Sequence, residues 1–263
     1  MDWNEIIRAL AMTQAKTVRP EGIFRDPIGM LNQVRWNIPM GQPMDQRTVA
    51  DMNITLSPKS CLGRVALAAA LVEKYFKSAE LRYGEVWQDG LRDEMLLLYK
   101  ENPEDITILE EVLIYEEPHA VLVCNGVQFD PIFTFIGRNL RHPVVQEFPV
   151  WEAIASSRFV SRAWMAEDME EKSRNLSEAE KICPGTTLVM ENLLGMYAAI
   201  GNIPAAVDIG KKLLQRRPTA RLFFSMYSLT FEKKYFECLV ERYGINVVDC
   251  IEKEVAAGES GAV

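Results

Sequence analysis

Apolar residues recur at intervals of three and four over two stretches of the first eighty positions, a spacing typical of amphipathic helices. The first stretch runs from Asp2 to Thr13, and its apolar stripe consists of Trp3, Ile6, Ile7 and Leu10. The second runs from Cys61 to Phe76, contains one glycine and no proline, and follows the helix start signals Ser57-Pro58 and Ser60. The pattern therefore predicts two helices, with Cys61 in the first turn of the second.

A β-hairpin is predicted later in the chain. Two runs of β-forming residues, 120–124 and 127–132, are separated by the dipeptide Asn125-Gly126. This dipeptide favours a two-residue type I′ turn, because both central residues of that turn need a positive φ. Such a turn fixes the register, so that Leu122 faces Phe129 across the two strands.

His119 and Asp130 begin and end this predicted hairpin. Side chains alternate between the two faces of a strand, so the predicted register places both residues on one face, as diagonal neighbours with Cα atoms about 7–8 Å apart. An imidazole and a carboxylate can bridge that separation. We therefore expect a ring nitrogen of His119 within about 3.5 Å of an oxygen of Asp130.

Between the second helix and the hairpin, the pattern predicts a strand at 81–87, a helix at 89–100 and a strand at 106–115. The acidic pairs Glu110-Glu111 and Glu116-Glu117 are interpreted as solvated residues at the ends of this last strand, rather than as an acid and a base of an active site. Helices followed by antiparallel strands indicate an α+β fold.

From about residue 149 the pattern is helical, which predicts an α+β domain at 1–148 and an all-α region at 149–263. In that region the spacing of Tyr197, Gly201, Ala206 and Pro218 weakly resembles part of a tetratricopeptide repeat. The neighbouring segments do not continue the pattern. A generic helical bundle and a short repeat array both remain open.

Charge and composition exclude several classes of function. The formal net charge is −8, which leaves little to attract a phosphate backbone, so we expect no nucleic-acid partner. No apolar run approaches the roughly 20 residues that cross a bilayer, and the chain start lacks a basic signal region. Five widely spaced cysteines indicate free thiols. We expect a soluble, cytoplasmic protein without a membrane partner.

Metal and nucleotide chemistry are not expected either. The two histidines, His119 and His142, are not accompanied by the ligand spacing of a zinc site, and the glycine motifs of nucleotide-binding folds do not occur. The sequence therefore predicts no metal and no cofactor.

Cys61, His119 and Asp130 supply the three parts of a cysteine-nucleophile triad. At the N-terminus of a helix, unpaired backbone N–H groups and the positive end of the helix dipole favour a thiolate over a thiol. An imidazole can shuttle the proton, and a carboxylate can orient the imidazole.

At these residues the chain resembles the transglutaminase-like branch of the papain-like cysteine enzymes. The matching segments are Ser60-Cys61-Leu62, Pro118-His119-Ala120-Val121-Leu122-Val123 and Phe129-Asp130-Pro131. The resemblance implies that Cys61, His119 and Asp130 are catalytic, and that N-terminal helices pack on an antiparallel sheet. The chain departs from the family at Val121, where an aromatic residue is frequent, and it offers no assignable side-chain oxyanion donor.

Two classes of function follow. In the first, Cys61 attacks an amide or related carbonyl, with transfer of the acyl group to water or to an amine, and with the Cys61 backbone N–H contributing to an oxyanion hole. In the second, the same scaffold and the helical surface form a non-catalytic module for protein interaction. A peptide or protein is the expected substrate or partner in both cases.

Overall fold

The structure, a computed structural model, describes residues 2–16, 18, 20, 24–33, 61–130 and 144–260, with backbone conformation alone at 61, 144–145 and 254–260. Contacts between Cα atoms divide the chain into two compact units. The first unit contains Met1–Val86 and His119–Val189, and the second contains Trp87–Pro118 and Met190–Val263. Each unit is therefore assembled from two separate segments of the chain.

The first unit opens with helices α1 (Trp3–Ala15), α2 (Pro27–Gln33) and α3 (Cys61–Tyr75). α1 begins where the Asp2 carboxylate accepts a hydrogen bond from the backbone N–H of Asn4 at 2.9 Å, which satisfies one of the unpaired donors at a helix start. Along α3, the alanines at 66, 68, 69 and 70 are fully buried. Both helices predicted from the first eighty residues are confirmed.

A four-stranded antiparallel sheet follows, formed by β1 (Leu81–Val86), β2 (His119–Cys124), β3 (Val127–Phe129) and β4 (Val144–Pro149). The strand order is β3-β2-β1-β4, so β1 and β2 occupy the centre. In the β1–β2 ladder, Leu81 pairs with Cys124, and Val86 pairs with His119. His119 thus begins β2 at the end of the sheet where β1 finishes.

The two faces of β2 contact different clusters. Ala120, Leu122 and Cys124 are buried in one apolar core with α1, α2 and α3. On the opposite face, Val121 and Val123 form a small separate cluster with Val86. Alternation of side chains along the strand explains this division.

Helices α6 (Val150–Trp164) and α7 (Met169–Ile182) complete the first unit, after α4 and α5 of the second. Val150, Ile154 and Ala155 are buried in the same core as α3. Contacts therefore group α6 and α7 with the sheet, and the predicted division at residue 148 does not follow the compact units. The physical reason is that apolar residues of α6 are buried in the same core as residues of β2 and α3.

In the second unit, α4 (Asp89–Glu101) is followed by α5 (Ile106–Tyr115). The predicted strand at 106–115 is wrong, because this segment is helical. Its fully buried residues, Leu109, Val112 and Leu113, have the spacing of one helix face. The Asp105 carboxylate caps the helix start by accepting from the N–H of Thr107 at 3.1 Å.

The remaining helices are α8 (Thr187–Ala199), α9 (Ile203–Arg216), α10 (Ala220–Thr230), α11 (Lys233–Tyr243) and α12 (Asn246–Ser260), of which all but the start of α8 belong to the second unit. A positive φ of 75° at Gly201 allows the tight turn between α8 and α9. The predicted helical character of the region after residue 149 is confirmed for its described residues.

A buried carboxylate connects helices of the second unit. Glu116 follows α5, accepts a hydrogen bond from the backbone N–H of Ala220 at 2.8 Å, and also accepts from the hydroxyl of Tyr243. Burial raises the pKa of Glu116, which the hydrogen bonds from Tyr243 and Ala220 oppose. The expectation that Glu116 is a solvated strand end is therefore wrong.

The fold combines many helices with one small antiparallel sheet, so the predicted α+β class is confirmed. Within the described ranges, no helix has both the length and the apolar character needed to cross a membrane.

Candidate functional site

The β2–β3 turn positions the candidate site. Asn125 and Gly126 have positive φ values of 49° and 75°, as a type I′ turn requires. The Asn125 side chain also accepts a hydrogen bond from the backbone N–H of Glu80 at 2.8 Å. Leu122 pairs with Phe129, so the predicted register of the hairpin is confirmed.

His119 and Asp130 are in contact as that register requires. The Nε2 atom of His119 lies 2.8 Å from Oδ2 of Asp130, and each side chain is only 7% exposed. When Asp130 is a carboxylate it can only accept, so Nε2–H is the donor of this bond. The tautomer with its hydrogen on Nε2 has its lone pair on Nδ1.

Cys61 is the first residue of α3. Its side chain lies outside the described residues, as do the expected start signals Ser57-Pro58 and Ser60. Arg64, three residues further along the same helix, is fully buried. The sequence did not single out Arg64, because arginine in an amphipathic helix is usually exposed.

The other cysteines differ in their surroundings. Cys124, Cys183 and Cys250 are buried, whereas Cys238 is exposed. Burial raises the pKa of Cys124, with the negative charge of Asp26 adding to the effect. Burial also raises the pKa of Cys183 to about 12, assisted by the charges of Glu152 and Glu85. The thiols of Cys124 and Cys183 are therefore poor nucleophiles near neutral pH.

The structural role of Glu85 on β1 is also not predicted from the sequence. Its carboxylate is buried and accepts two hydrogen bonds from Thr187, from the backbone N–H at 2.9 Å and from the hydroxyl at 2.6 Å. This interaction fixes the first residue of α8. No local pattern reveals it, because the two residues are 102 positions apart.

An acidic cavity lies elsewhere in the first unit. It has a volume of about 440 Å³, and its lining includes Asp2, Glu73, Leu81 and Trp151. Leu81 is at the opposite end of β1 from Val86, the residue that pairs with His119. The cavity is therefore separate from the His119–Asp130 pair.

Across the part of the chain that the structure describes, no group of three or more histidine, cysteine or acidic side chains is arranged to hold a metal ion. Comparisons with protein-family models, with curated proteins and with solved structures find no match for this chain.

Proposed function

We propose that the chain is a cysteine-dependent acyltransferase or amide hydrolase built on a transglutaminase-like core, with Cys61 as nucleophile, His119 as base and Asp130 as the residue that orients the base. The observation that supports this proposal most is the buried hydrogen bond of 2.8 Å between His119 and Asp130. It selects the imidazole tautomer whose lone pair is on Nδ1, as a general base requires.

The path of the chain supports a position of Cys61 near His119. α3 packs on the β2 face that carries Leu122, and residues 76–80 alone connect its end to Leu81. A helix of 15 residues is about 22 Å long at 1.5 Å per residue, and a six-residue strand spans about 20 Å. If α3 runs back along the sheet, it begins at the end where β2 starts.

For this function the Cys61 thiol must approach the His119 ring. His119 alternates onto the face of Val121, whereas α3 packs on the other face of β2. The thiol must therefore reach the ring around the first residue of the strand. An experimental structure should place Sγ of Cys61 within about 4–5 Å of Nδ1, a distance typical of such pairs without substrate.

In the proposed reaction, Nδ1 of His119 takes the proton of the Cys61 thiol, and the thiolate adds to the carbonyl carbon. The resulting oxyanion is stabilised by the backbone N–H of Cys61. It collapses to a thioester while the imidazolium gives its proton to the leaving amine. Water or a second amine then attacks the thioester and loses a proton to Nδ1, which releases the product and restores the thiol.

The described cysteines apart from Cys61 are free thiols, so we place this chemistry in a reducing compartment such as the cytoplasm.

The test is the rate of alkylation by iodoacetamide at pH 6.5, followed for each cysteine by peptide mass spectrometry. Cys238 is the internal control, because it is exposed. We expect Cys61 to react at least about tenfold faster than Cys238, since an ordinary thiol with a pKa near 8.5 is mostly protonated at this pH. His119→Ala should remove the difference and leave Cys238 unchanged. Equal rates at both cysteines in the wild-type protein would rule out the triad.

The second candidate function is a non-catalytic module that binds a peptide or protein. Apolar side chains on the surface of the second unit favour it: Phe231 is 80% exposed and Leu97 is 65% exposed. Under this proposal the His119–Asp130 pair only stabilises the hairpin, and the helices of the second unit act as a bundle or as a short repeat array. Slow alkylation of Cys61 together with retained partner binding by His119→Ala would favour this function.

A further inference from the structure

Arg158 on α6 is a buried cation that forms no ion pair with a carboxylate of the described residues. Its side chain is 6% exposed, and Nε and Nη1 are buried without a hydrogen-bond partner among the described residues. Its guanidinium carbon lies 4.3 Å from the centre of the Trp3 ring. Burial lowers the pKa of Arg158, and the charge of Arg162 lowers it further.

Arg162 lies one helical turn later on α6. Its guanidinium carbon is 5.8 Å from the centre of the Phe159 ring. Trp3 and Phe159 contact each other edge to face, with ring centres 5.6 Å apart. Two guanidinium groups are thus held beside one aromatic pair, and within the described ranges neither forms an ion pair with a carboxylate.

An unpaired charge in such a position is unfavourable. Removing a guanidinium from water is costly, and attraction to an aromatic face offsets only part of that cost. Arg217 in the second unit is a second buried arginine that stacks on a tryptophan, Trp87, at 4.3 Å. Its buried nitrogens also lack hydrogen-bond partners, but its Nη2 lies 2.8 Å from Oδ1 of Asp89. Among the described residues, no carboxylate lies at that distance from Arg158.

We propose that Arg158 and Arg162 form a binding site for an oxyanion, either a phosphate monoester or a carboxylate, with Trp3 and Phe159 as its apolar wall. The planar guanidinium is suited to two parallel hydrogen bonds with such a group. Arg158 is held in place by the Trp3 ring before the ligand binds, which lowers the entropic cost of binding. Arg162 is partly exposed and provides the side from which the anion enters.

The site does not depend on the N-terminus of α1. Trp3 is the first residue of that helix, but the carboxylate of Asp2 already accepts from the Asn4 N–H. The two arginines therefore supply the positive charge.

The experiment is isothermal titration of the full chain with inorganic phosphate, phenyl phosphate and acetate, at constant ionic strength maintained with chloride. We expect saturable binding to the wild-type protein and at least about tenfold weaker binding to Arg158→Met, since a hydrogen bond to a charged group contributes enough for that factor. Phenyl phosphate binding more tightly than acetate identifies a phosphate monoester, and the reverse order identifies a carboxylate.

Arg8→Met is the matched control. It removes one arginine from the same unit, where Arg8 pairs with Glu73 on the surface, and it should bind the anions as the wild type does. If Arg158→Met does not fold, Arg162→Met takes its place, with the same expected weakening. The proposal is overturned if the wild type binds none of the three anions, or if the arginine variants at 158 and 162 bind them as tightly as Arg8→Met does.

Discussion

The imidazole of His119 donates a hydrogen bond of 2.8 Å to the carboxylate of Asp130, eleven positions further along the chain, and the Asn125-Gly126 turn lies between them. Both side chains are buried, so the bond is shielded from water and is stronger than the same bond at a surface. The hydrogen bond to this carboxylate therefore helps to hold the imidazole in its orientation.

Asp130→Asn tests that dependence. The amide keeps the size of the carboxylate but carries no charge, so it holds the imidazole and stabilises an imidazolium less well. We expect alkylation of Cys61 at pH 6.5 to slow by about tenfold, which corresponds to about 1.4 kcal/mol. Alkylation of Cys238 serves as the control. An unchanged rate at Cys61 would show that the carboxylate does not support the nucleophile.

Gly126→Ala tests the turn. Gly126 has a φ of 75°, and an L-residue in that region loses about 1–2 kcal/mol. We expect the free energy of unfolding in urea to fall by that amount. Gly90→Ala is the matched control, because its new Cβ also meets no neighbouring atom, but its position in α4 favours alanine by about 0.4–1 kcal/mol. Equal effects of the two substitutions would contradict this account of the turn.

Glu116→Gln tests the buried carboxylate of the second unit. Burial raises the pKa of Glu116 above its ordinary value of 4.5, so the folded state binds this proton more tightly than the unfolded state does. The contribution of Glu116 to stability is therefore greatest below pH 4.5 and is lost as pH rises through the folded-state pKa.

The glutamine variant cannot ionise, so it should lose less stability than the wild type when the pH is raised from 4 to 7, as measured by urea unfolding. Glu117→Gln is the control, since Glu117 is exposed and pairs with Arg221 at the surface. We expect that variant to follow the wild-type pH profile. A wild-type stability that rises more steeply with pH than that of Glu116→Gln would reverse the sign and refute the assignment.

Gly210→Ala tests the packing of α9. A Cβ at this position would lie 2.2 Å from Sδ of Met226 and 3.2 Å from Cδ1 of Leu194. Met226 is fully buried and cannot move into solvent, so we expect a loss of about 1–3 kcal/mol on urea unfolding. Gly195→Ala on α8 meets no atom within 4 Å and should not destabilise the protein. A neutral Gly210→Ala would show that Met226 repacks without cost.

Features of the fold that depend on neighbouring residues were predictable from the sequence. The hairpin register follows from Asn125-Gly126, and the contact between His119 and Asp130 follows from that register by alternation alone. The helices beginning near Trp3 and at Cys61 follow from apolar periodicity and from start signals.

The error at 106–115 has a local explanation. Isoleucine, valine and tyrosine are common in strands, and this segment is rich in them. The spacing of Leu109, Val112 and Leu113 and the N-terminal cap at Asp105 nevertheless indicate a helix. Tertiary packing of that apolar face decides the outcome, which is helical.

Long-range pairs could not be predicted. Glu116 meets Tyr243 from 127 positions away, and Arg158 lies on the ring of Trp3 at the other end of its unit's sequence. A single sequence contains no pattern that links such residues. For that reason these two contacts, and the grouping of 87–118 with the C-terminal helices, are visible only in the structure.

The discontinuous second unit has a consequence for synthesis on the ribosome. The buried face of α5, with Leu113, packs in one cluster with Cys250 and Ile251, so its partners are made more than 130 residues later. At about 5–20 residues per second, this delay is roughly 7–30 s. During that interval the nascent chain carries an apolar helix pair whose final neighbours do not yet exist.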